Sequence, residues 1–524
     1  MNRLALFLSL VAALFAAACG GSGSVVTPPP PVGGFTTASL KGQYAFSMSG
    51  SDVSGAFFAR IGSFIADGNG NITSGVEDVN IPGSPTQTIP YTASTYSVQA
   101  DGRGTVNLTN STGTLSFSIT LLSPAQGLIV QTDPSLVATA SGSFYLQNAN
   151  LFNSAGLSGN YVFDVSGLDT SGGPDSIVGQ FISNGNGSIT SGLLDENDSA
   201  VLVSAAPFTI GANYAMDATY GSTFGRATVS FVANGTPYNY ALYIVDATRA
   251  RMIEINSNAL TVGDAISQSS VPSSNTNFNG NFAFLLSGSG NRSALTRIGR
   301  FTANGSGALN NIFADTNDGG TAAKVPDGSL SATTYAIDTA NVGTGRGTLT
   351  FKDSKLGTFS FVFYLSSSSG GIIQDVGANQ VADGTLALQA GAPFSNSSLA
   401  GDFGLNFSGL STNGTLNATG EEDYIGHINF ASTTSNNVTG TVDFTEFSSN
   451  QGLFTNVVLS GNGLTVGGDG TTSSGTRNAL TLTLSGNPSS TLHFVPYFVN
   501  SQTMYVAGTD SNRVISGTIT AQAP

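Results

Sequence analysis

The sequence feature that most constrains the fold of this chain is a short phrase that recurs four times. Each copy opens with a glycine, a polar residue and an aromatic residue, and a Ser-Gly pair follows a few positions later. The opening glycines are Gly42, Gly159, Gly280 and Gly401, spaced by 117 to 121 residues. That spacing is the size of one small domain, so the chain is predicted to contain four copies of one fold.

A second phrase recurs in the first three copies. In the first copy it starts at Ile61-Gly62, continues through Phe64 and ends in the glycine-rich turn 67–70, Asp-Gly-Asn-Gly. The fourth copy keeps only Ile425-Gly426. Three copies are therefore close relatives, and the last is divergent, as terminal repeats often are.

Hydrophobic residues alternate with polar ones within each copy, as at 115–121, where Leu, Phe, Ile and Leu alternate with Ser, Ser and Thr. Alternation with period two predicts strands with one face on a core and one toward water. The first copy is predicted to contain eight strands, at 43–49, 57–66, 71–79, 91–99, 104–109, 114–122, 127–131 and 139–147. The fold class is therefore all-β: four tandem antiparallel meander domains, each an eight-stranded barrel or, as the alternative, a β-sandwich.

The N-terminus has the pattern of an export signal. Arg3 supplies a positive charge, the apolar segment 4–18 is too short for a permanent membrane helix, and Ala16-Ala17-Ala18 precedes Cys19, the only cysteine. The predicted organisation is a signal peptide at 1–18, a lipid-anchored Gly/Pro-rich tether at 19–36, β repeats at 37–155, 156–276 and 277–397, and a divergent β repeat at 398–524.

With this N-terminus and the motif 64–70, Phe-Ile-Ala-Asp-Gly-Asn-Gly, the chain resembles a group of bacterial cell-surface lipoproteins that string together Gly-x-Tyr-x-Phe and Phe-x-Ala-Asp-Gly-x-Gly repeats. The resemblance extends over almost the whole chain, but its motifs are turns and core positions. It implies a lipid anchor on Cys19 and no particular activity. By the sorting rules of such lipoproteins, the absence of Asp after Cys19 indicates the outer membrane, facing either the periplasm or the outside.

The charge balance excludes some partners. The chain has 31 acidic and 16 basic residues and a net charge of −15, with no cluster of Lys and Arg. Nucleic-acid binding requires such a cluster to displace counterions, so no nucleic-acid partner is expected. Membrane contact is expected through the N-terminal lipid only, and a surface polymer, a protein and a small molecule all remain as possible ligands.

Catalytic patterns are missing from the sequence. The only histidines, His427 and His493, lie in the divergent copy, and there is no nucleophile elbow and no His or Cys metal motif. Neighbouring carboxylates such as Glu421 and Glu422 point to opposite faces of a strand, so they do not form an acid–base pair. The chain is therefore predicted not to be an enzyme.

A calcium site is one alternative for the turn at 67–70. Asp67, Asn69, Asn71 and Asp78 fall at positions 1, 3, 5 and 12 of an EF-hand-like loop, but position 6 is Ile72 instead of glycine. A glycine-rich hairpin explains the same residues and is the favoured interpretation, so no cofactor is expected.

One charged residue recurs in a chain that has few charges. Arg103, Arg226 and Arg346 each follow a glycine and open a strand. We expect each to pair with an acidic residue on the third strand of its own repeat and to set strand register; the alternative is an anionic ligand at a barrel mouth. The expected acidic partners are Glu77 or Asp78, Asp195 or Glu196, and Asp315.

Together these features predict a non-enzymatic, lipid-anchored protein of the cell envelope with a role in surface adhesion, interaction or spacing. The alternative is lipocalin-like binding of a small molecule or glycan. The two differ in whether the barrel interiors are packed with side chains or leave a cavity.

Overall fold

The computed structural model describes residues 34–524 apart from 210, 257–258, 292, 396–397, 413–417, 432–436, 448–451, 468–476 and 486–489. The predicted signal peptide, Cys19 and the tether up to residue 33 lie outside the described residues. Within the described part, no helix has the length and apolarity needed to cross a bilayer. The fold is all-β, as predicted, and consists of four antiparallel meanders, which we call modules 1 to 4.

Module 1 contains nine strands and begins with the motif Gly-Gln-Tyr-Ala-Phe on its first strand. The strands are β1 (Lys41–Asp52), β2 (Phe57–Asp67), β3 (Asn71–Asn80), β4 (Gln87–Tyr91), β5 (Ser94–Val98), β6 (Arg103–Asn110), β7 (Gly113–Ser123), β8 (Gln126–Gln131) and β9 (Ala138–Leu146). The strand predicted at 91–99 corresponds to β5, and β4 is a ninth strand that was not predicted; both pair with β3.

Modules 2 and 3 repeat this order. Module 2 contains β10 (Ser158–Leu168), β11 (Pro174–Asn184), β12 (Ile189–Asp198), β13 (Val201–Pro207), β14 (Asn213–Met216), a helical turn (Gly221–Phe224), β15 (Arg226–Ala233), β16 (Thr236–Asp246), β17 (Arg249–Glu254) and β18 (Leu260–Ser267). Module 3 contains β19 (Asn279–Gly290), β20 (Ser293–Asn304), β21 (Leu309–Asp318), β22 (Thr321–Val325), β23 (Leu330–Ile337), β24 (Arg346–Asp353), β25 (Gly357–Ser367), β26 (Gly370–Asp375) and β27 (Val381–Leu388).

Module 4 is a closed barrel of eight strands. They are β28 (Gly401–Thr412), β29 (Ala418–Phe430), β30 (Asn437–Glu446), β31 (Gly452–Thr465), β32 (Ala479–Leu484), β33 (Ser490–Asn500), β34 (Thr503–Gly508) and β35 (Arg513–Ala521). In all four modules the first strand pairs with both the second and the last, so the sheet wraps around a core. Module 1 also closes, through β2–β3 and β3–β5. In modules 2 and 3 the two ends of the sheet approach each other through isolated bridges.

The interior of each module is filled by its own cluster of buried apolar side chains. In module 1, the rings of Tyr44, Phe64 and Phe144 pack with centroids 5.6 to 6.0 Å apart. Such rings bury large apolar areas and favour these offset contacts. The barrel interiors are therefore packed, as a structural core requires.

The recurrent Ile-Gly step is explained by an aromatic ring on the neighbouring strand. A Cβ atom at Gly62 would lie 2.8 Å from the ring of Phe46, and the same relation joins Gly179 to Phe163 and Gly299 to Phe284, at 2.6 Å. The glycine leaves room for the phenylalanine to lie across the strand inside the barrel.

The turn between β2 and β3 is shaped by polar capping. Gly68 and Gly70 have positive φ angles, of 85° and 97°, which glycine adopts without strain. One carboxylate oxygen of Asp67 accepts hydrogen bonds from the backbone amides of Asn69 and Asn71. In modules 2 and 3 the side-chain oxygens of Asn184 and Asn304 accept the equivalent two hydrogen bonds, from the backbone amides two and four residues later.

Candidate functional site: the joints between modules

The recurrent arginines lie between modules. Arg226, at the start of β15, is 7% exposed and donates to Asp78 of module 1, through Nε to Oδ2 at 2.8 Å and through Nη2 to Oδ1 at 2.9 Å. Tyr243, opposite Arg226 on β16, donates its hydroxyl to the same carboxylate at 2.8 Å. A bidentate Arg–carboxylate pair with a third donor is a strong, directional contact.

The next pair of modules repeats this arrangement. Arg346 of module 3 donates to Asp195 of module 2 through Nε and Nη2, both at 2.7 Å, and Tyr364 donates to Asp195 at 2.6 Å. Arg226 and Arg346 are each also held by a carboxylate of their own module, Asp217 at 2.6 Å and Asp338 at 3.0 Å.

Modules 3 and 4 are joined by a similar cluster, whose arginine was not predicted from the sequence. Arg477 donates to Asp315 at 3.1 Å, and Tyr497 donates to the same carboxylate at 2.6 Å. Arg477 lies just before β32 and follows Gly475-Thr476, so a search for glycine and arginine in immediate succession does not find it. We call each Arg–Asp–Tyr cluster with its surrounding contacts a joint, numbered 1–2, 2–3 and 3–4.

The expected pairing within one repeat is therefore wrong. The acidic residue does lie on the third strand, but it belongs to the preceding module. Two of the candidate carboxylates lie elsewhere: Glu77 pairs with Arg60 inside module 1 at 2.9 Å, and Glu196 accepts a hydrogen bond from Tyr238 in module 2 at 2.8 Å.

Electrostatics at joint 1–2 favour the ion pair, whereas at joint 3–4 burial outweighs the charge of Arg477 and raises the pKa of Asp315. Burial alone would lower the pKa of Arg226, but the hydrogen bonds and charge of Asp78 outweigh it and raise that pKa above its ordinary value. Burial and the Asp78 charge also raise the pKa of Tyr243 well above its ordinary value, so its hydroxyl remains a donor. A buried ion pair adds little net stability, but losing one partner leaves the other as an uncompensated buried charge. Such a pair therefore favours the one packing arrangement in which both partners meet.

Apolar side chains surround each ion pair. At joint 1–2 the outward-facing Ala45, Ile61 and Val76 of module 1 pack with Ile253 and Val262 of module 2. Joints 2–3 and 3–4 have their own apolar clusters at the corresponding strands. Each joint thus has a buried apolar patch with a polar clamp, the composition of a permanent interface.

The segments between modules repeat one further contact. The amide of Gln147, after β9, donates to the carbonyls of Phe224 and Ile244, and the backbone N–H of Asn148 donates to Val245. Gln268 occupies the same place at joint 2–3 and donates to the carbonyls of Thr344 and Leu365. Gln389 does so at joint 3–4 and donates to the carbonyl of Phe498.

The last module makes this contact with the first. Gln522 donates to the carbonyls of Asp101 at 2.9 Å and Leu121 at 2.7 Å, and the backbone N–H of Ala523 donates to Leu122. The head-to-tail contact between successive modules therefore recurs between modules 4 and 1 and closes a ring, as heterologous interfaces do when their rotation closes. We call this contact the closing joint.

The closing joint lacks the strong clamp. Arg103 is the counterpart of Arg226, but it donates to Asp101 of its own module at 2.8 Å and to Asn456 of module 4 at 3.0 Å. The carboxylate of Asp443 is 3.8 Å away. Thr120 lies opposite Arg103, where the other joints have tyrosine.

The four calcium candidates do not converge. Asn71 and Asp78 lie at opposite ends of the extended strand β3, which separates them by roughly 20 Å at the rise of a β-strand. Asp67 is occupied by the amides of its own turn, and Asp78 by Arg226. Among the described residues, no group of three or more His, Cys, Asp or Glu side chains is placed to hold a metal ion.

The histidines take part in local pairs. His427 contacts Asp402 at 2.8 Å, and His493 contacts Asp510 at 2.7 Å. Both pairs lie within module 4, and each carboxylate orients the ring beside it.

A polar cavity of about 210 Å³ opens between modules 1 and 2. Serine hydroxyls of β1 and β9 line one side, and Asp164, Arg251 and Asp264 line the other. Arg251 is bound to Asp264 at 2.8 Å, whereas burial and the charges of Asp383 and Asp264 raise the pKa of Asp164 well above its ordinary value. Such a lining offers hydrogen-bonding groups to a small polar molecule.

No family model and no curated protein matches the chain. Solved structures of transferrin-binding protein B show a distant likeness. The protein from Haemophilus parasuis Hp5 is 10% identical, with 75% of this chain and 82% of that chain covered and a TM-score of 0.18. Isotype 1 from serogroup B Neisseria meningitidis is 8% identical, with 76% and 84% covered and a TM-score of 0.21. At TM-scores this low, neither the module arrangement nor the ligand of those proteins transfers to this chain.

Proposed function

We propose that this chain is a non-enzymatic, lipid-anchored protein of the cell envelope whose four modules act as one rigid body for interaction with a partner. The observation that carries the proposal is the closing joint, where Gln522 docks on module 1 as Gln147 docks on module 2. With every module held by two neighbours, the loops keep fixed relative positions, which lowers the entropic cost of binding a partner.

Ring closure argues against the spacer role. The backbone N–H of Phe35 donates to Ala100, and Gln522 donates to the adjacent Asp101, so the two ends of the described body lie side by side. A chain of modules whose ends meet does not separate its anchor from a distant tip.

A second candidate function is capture of a small polar molecule. The packed cores disfavour lipocalin-like binding inside the barrels, and the cavity between modules 1 and 2 favours a site there instead. Asp164 and the serine hydroxyls are the groups that such a ligand would contact.

The experiment for the first proposal has two readouts. Metabolic labelling with a lipid probe should modify the wild-type chain and leave the Cys19→Ser variant unlabelled. Small-angle scattering of the Cys19→Ser variant at about pH 5, where buried carboxyl groups with raised pKa values stay protonated, should give the compact radius of a closed ring. Absence of labelling would contradict the anchor, and the larger radius of an open string of modules at that pH would contradict the rigid body.

A further inference from the structure

Two acidic residues lie buried in the closing joint, which lacks the Arg–Asp–Tyr clamp of the other three. Asp423 is fully buried on β29 and accepts a hydrogen bond from Thr139 of module 1 at 2.9 Å. Glu421, two residues earlier, accepts one from Ser51 of module 1 at 3.2 Å. The place of Asp423 is taken by Ala59, Ser176 and Thr296 in modules 1 to 3, counting from the Ile/Val-Gly step.

In the described part of the chain, the groups that surround Asp423 are hydroxyls, and none of them carries a positive charge. From module 1 it faces the hydroxyl of Thr139 on β9, which also lies within hydrogen-bond distance of the carbonyl of Gln131. On its own sheet the strand partners of Asp423 are Ser408 and Thr445. Its second carboxylate oxygen is buried and has no hydrogen-bond partner among the described residues.

The charged neighbours of Asp423 are themselves acidic. Glu421 lies on the same face of β29, and Glu422, on the opposite face, is paired with Arg513 inside the barrel at 3.3 Å. The arginine of this joint, Arg103, donates to Asp101 and Asn456 and lies 3.8 Å from the carboxylate of Asp443. Ionising Asp423 would therefore leave a buried charge without a counter-ion, which is among the costliest changes a packed interface can undergo.

We propose that the closing joint is a pH-sensitive latch: it is shut while Asp423 is protonated and opens when Asp423 ionises, which separates module 4 from module 1. The other three joints are held by Arg–Asp–Tyr clamps and stay shut. This holds although burial also raises the pKa of Asp164, at joint 1–2, and of Asp383, at joint 2–3. The ring then changes to an open chain of four linked modules without unfolding any barrel.

The direction of the effect follows from the protonation states. Burial, with a contribution from Glu422, raises the pKa of Asp423 to about 8, and burial and the Asp423 charge raise the pKa of Glu421. With the joint open, Asp423 is in water and ionises at its ordinary value. The shut state is therefore favoured most at low pH, and the opening equilibrium rises by up to about tenfold per pH unit until the pH passes about 8.

The test is hydrogen exchange at two equivalent backbone amides in the chain carrying Cys19→Ser. The amide of Ala523 is bonded across the closing joint to Leu122, and that of Asn148 is bonded across joint 1–2 to Val245. Protection factors are corrected for intrinsic exchange at each pH. We expect the protection of Ala523 to fall severalfold per unit between about pH 5 and about pH 8, while that of Asn148 stays level.

Two variants make the test specific. Asp423→Ser, which installs the residue of module 2, should reduce the pH dependence at Ala523 to the part that Glu421 contributes, and adding Glu421→Gln should abolish it. A disulfide between Ser141→Cys and Asn406→Cys, whose native side chains are 2.7 Å apart across the joint, should keep Ala523 protected at every pH and release it on reduction. Three results would overturn the proposal. They are a parallel fall in the protection of Ala523 and Asn148, an unchanged pH dependence of Ala523 protection in Asp423→Ser, and a loss of that protection while the disulfide is oxidised.

Discussion

Arg226 of module 2 binds Asp78 of module 1 across 148 residues of chain, and Arg346 repeats this bond with Asp195. A recurrent arginine in a weakly charged protein is thus the clamp of a recurrent interface. The modules depend on each other, because each supplies the acid for the next arginine.

Removing one partner of this pair should be costly. We expect Asp78→Asn to lower the free energy of unfolding by about 2–4 kcal/mol, since it removes the bidentate carboxylate of buried Arg226 and leaves Asp217 as its single counter-ion. The measurement is urea denaturation at neutral pH. The double variant Asp78→Leu with Arg226→Met should recover most of the loss, and a double variant as unstable as Asp78→Asn would contradict this account.

Gly62 should not tolerate a side chain while Phe46 is present. Gly62→Ala places a methyl group against the ring of Phe46 and the carbonyl oxygen of Val76, so we expect a loss of about 1–3 kcal/mol. Thermal unfolding measures it. Adding Phe46→Leu, the residue found at the corresponding place in module 4, Leu405, should make Gly62→Ala less harmful than it is in the wild type; equal losses in both backgrounds would show that the ring is not the cause.

Module 2 should lose stability as the pH rises. Burial, with like charge from Glu196 and Asp198, raises the pKa of Asp175 to about 9, so the unfolded chain ionises this group while the folded chain does not. Its contribution is fully present below its ordinary pKa and is lost as the pH rises toward about 9. The measurement is urea denaturation between about pH 5 and about pH 8. Relative to the wild type, the free energy of unfolding of Asp175→Asn should rise by up to about 1.4 kcal/mol per pH unit.

Asp353 provides the matched control for Asp175. Burial opposes its ionisation, but backbone amides, Gly328 and Lys355 among them, lower its pKa to about 2. Because it is ionised in both states throughout this range, Asp353→Asn should change stability by an amount that does not vary with pH. A slope for Asp353→Asn similar to that for Asp175→Asn would show that the pH dependence arises elsewhere.

Calcium should have no effect on the turn at 67–70. The carboxylate of Asp67 already accepts bonds from the backbone amides of Asn69 and Asn71 and from the Asn71 side chain. We therefore expect melting curves with calcium and with a chelator to coincide. A calcium-dependent shift that disappears in Asp67→Asn would revive the cation site.

The strands of the modules were predictable from the sequence because their causes are local. Alternation places Phe117 and Ile119 in the core of module 1 and Ser118 on the opposite face of the strand, and the glycines at 68 and 70 permit the hairpin. The short strand β4 was missed because its place is set by pairing: β4 and β5 both pair with β3, along different parts of its length.

The sequence by itself determined the four all-β modules, their turns and the recurrence of a buried arginine. Only the tertiary structure decided which carboxylate each arginine meets. In a repeated chain every module carries both Arg and Asp, so pairing within a module and pairing with the next leave the same sequence pattern. The choice, and the closure that brings Gln522 onto Leu121, depends on the angle at which one barrel packs on another, which is a property of whole faces rather than of any local run of residues.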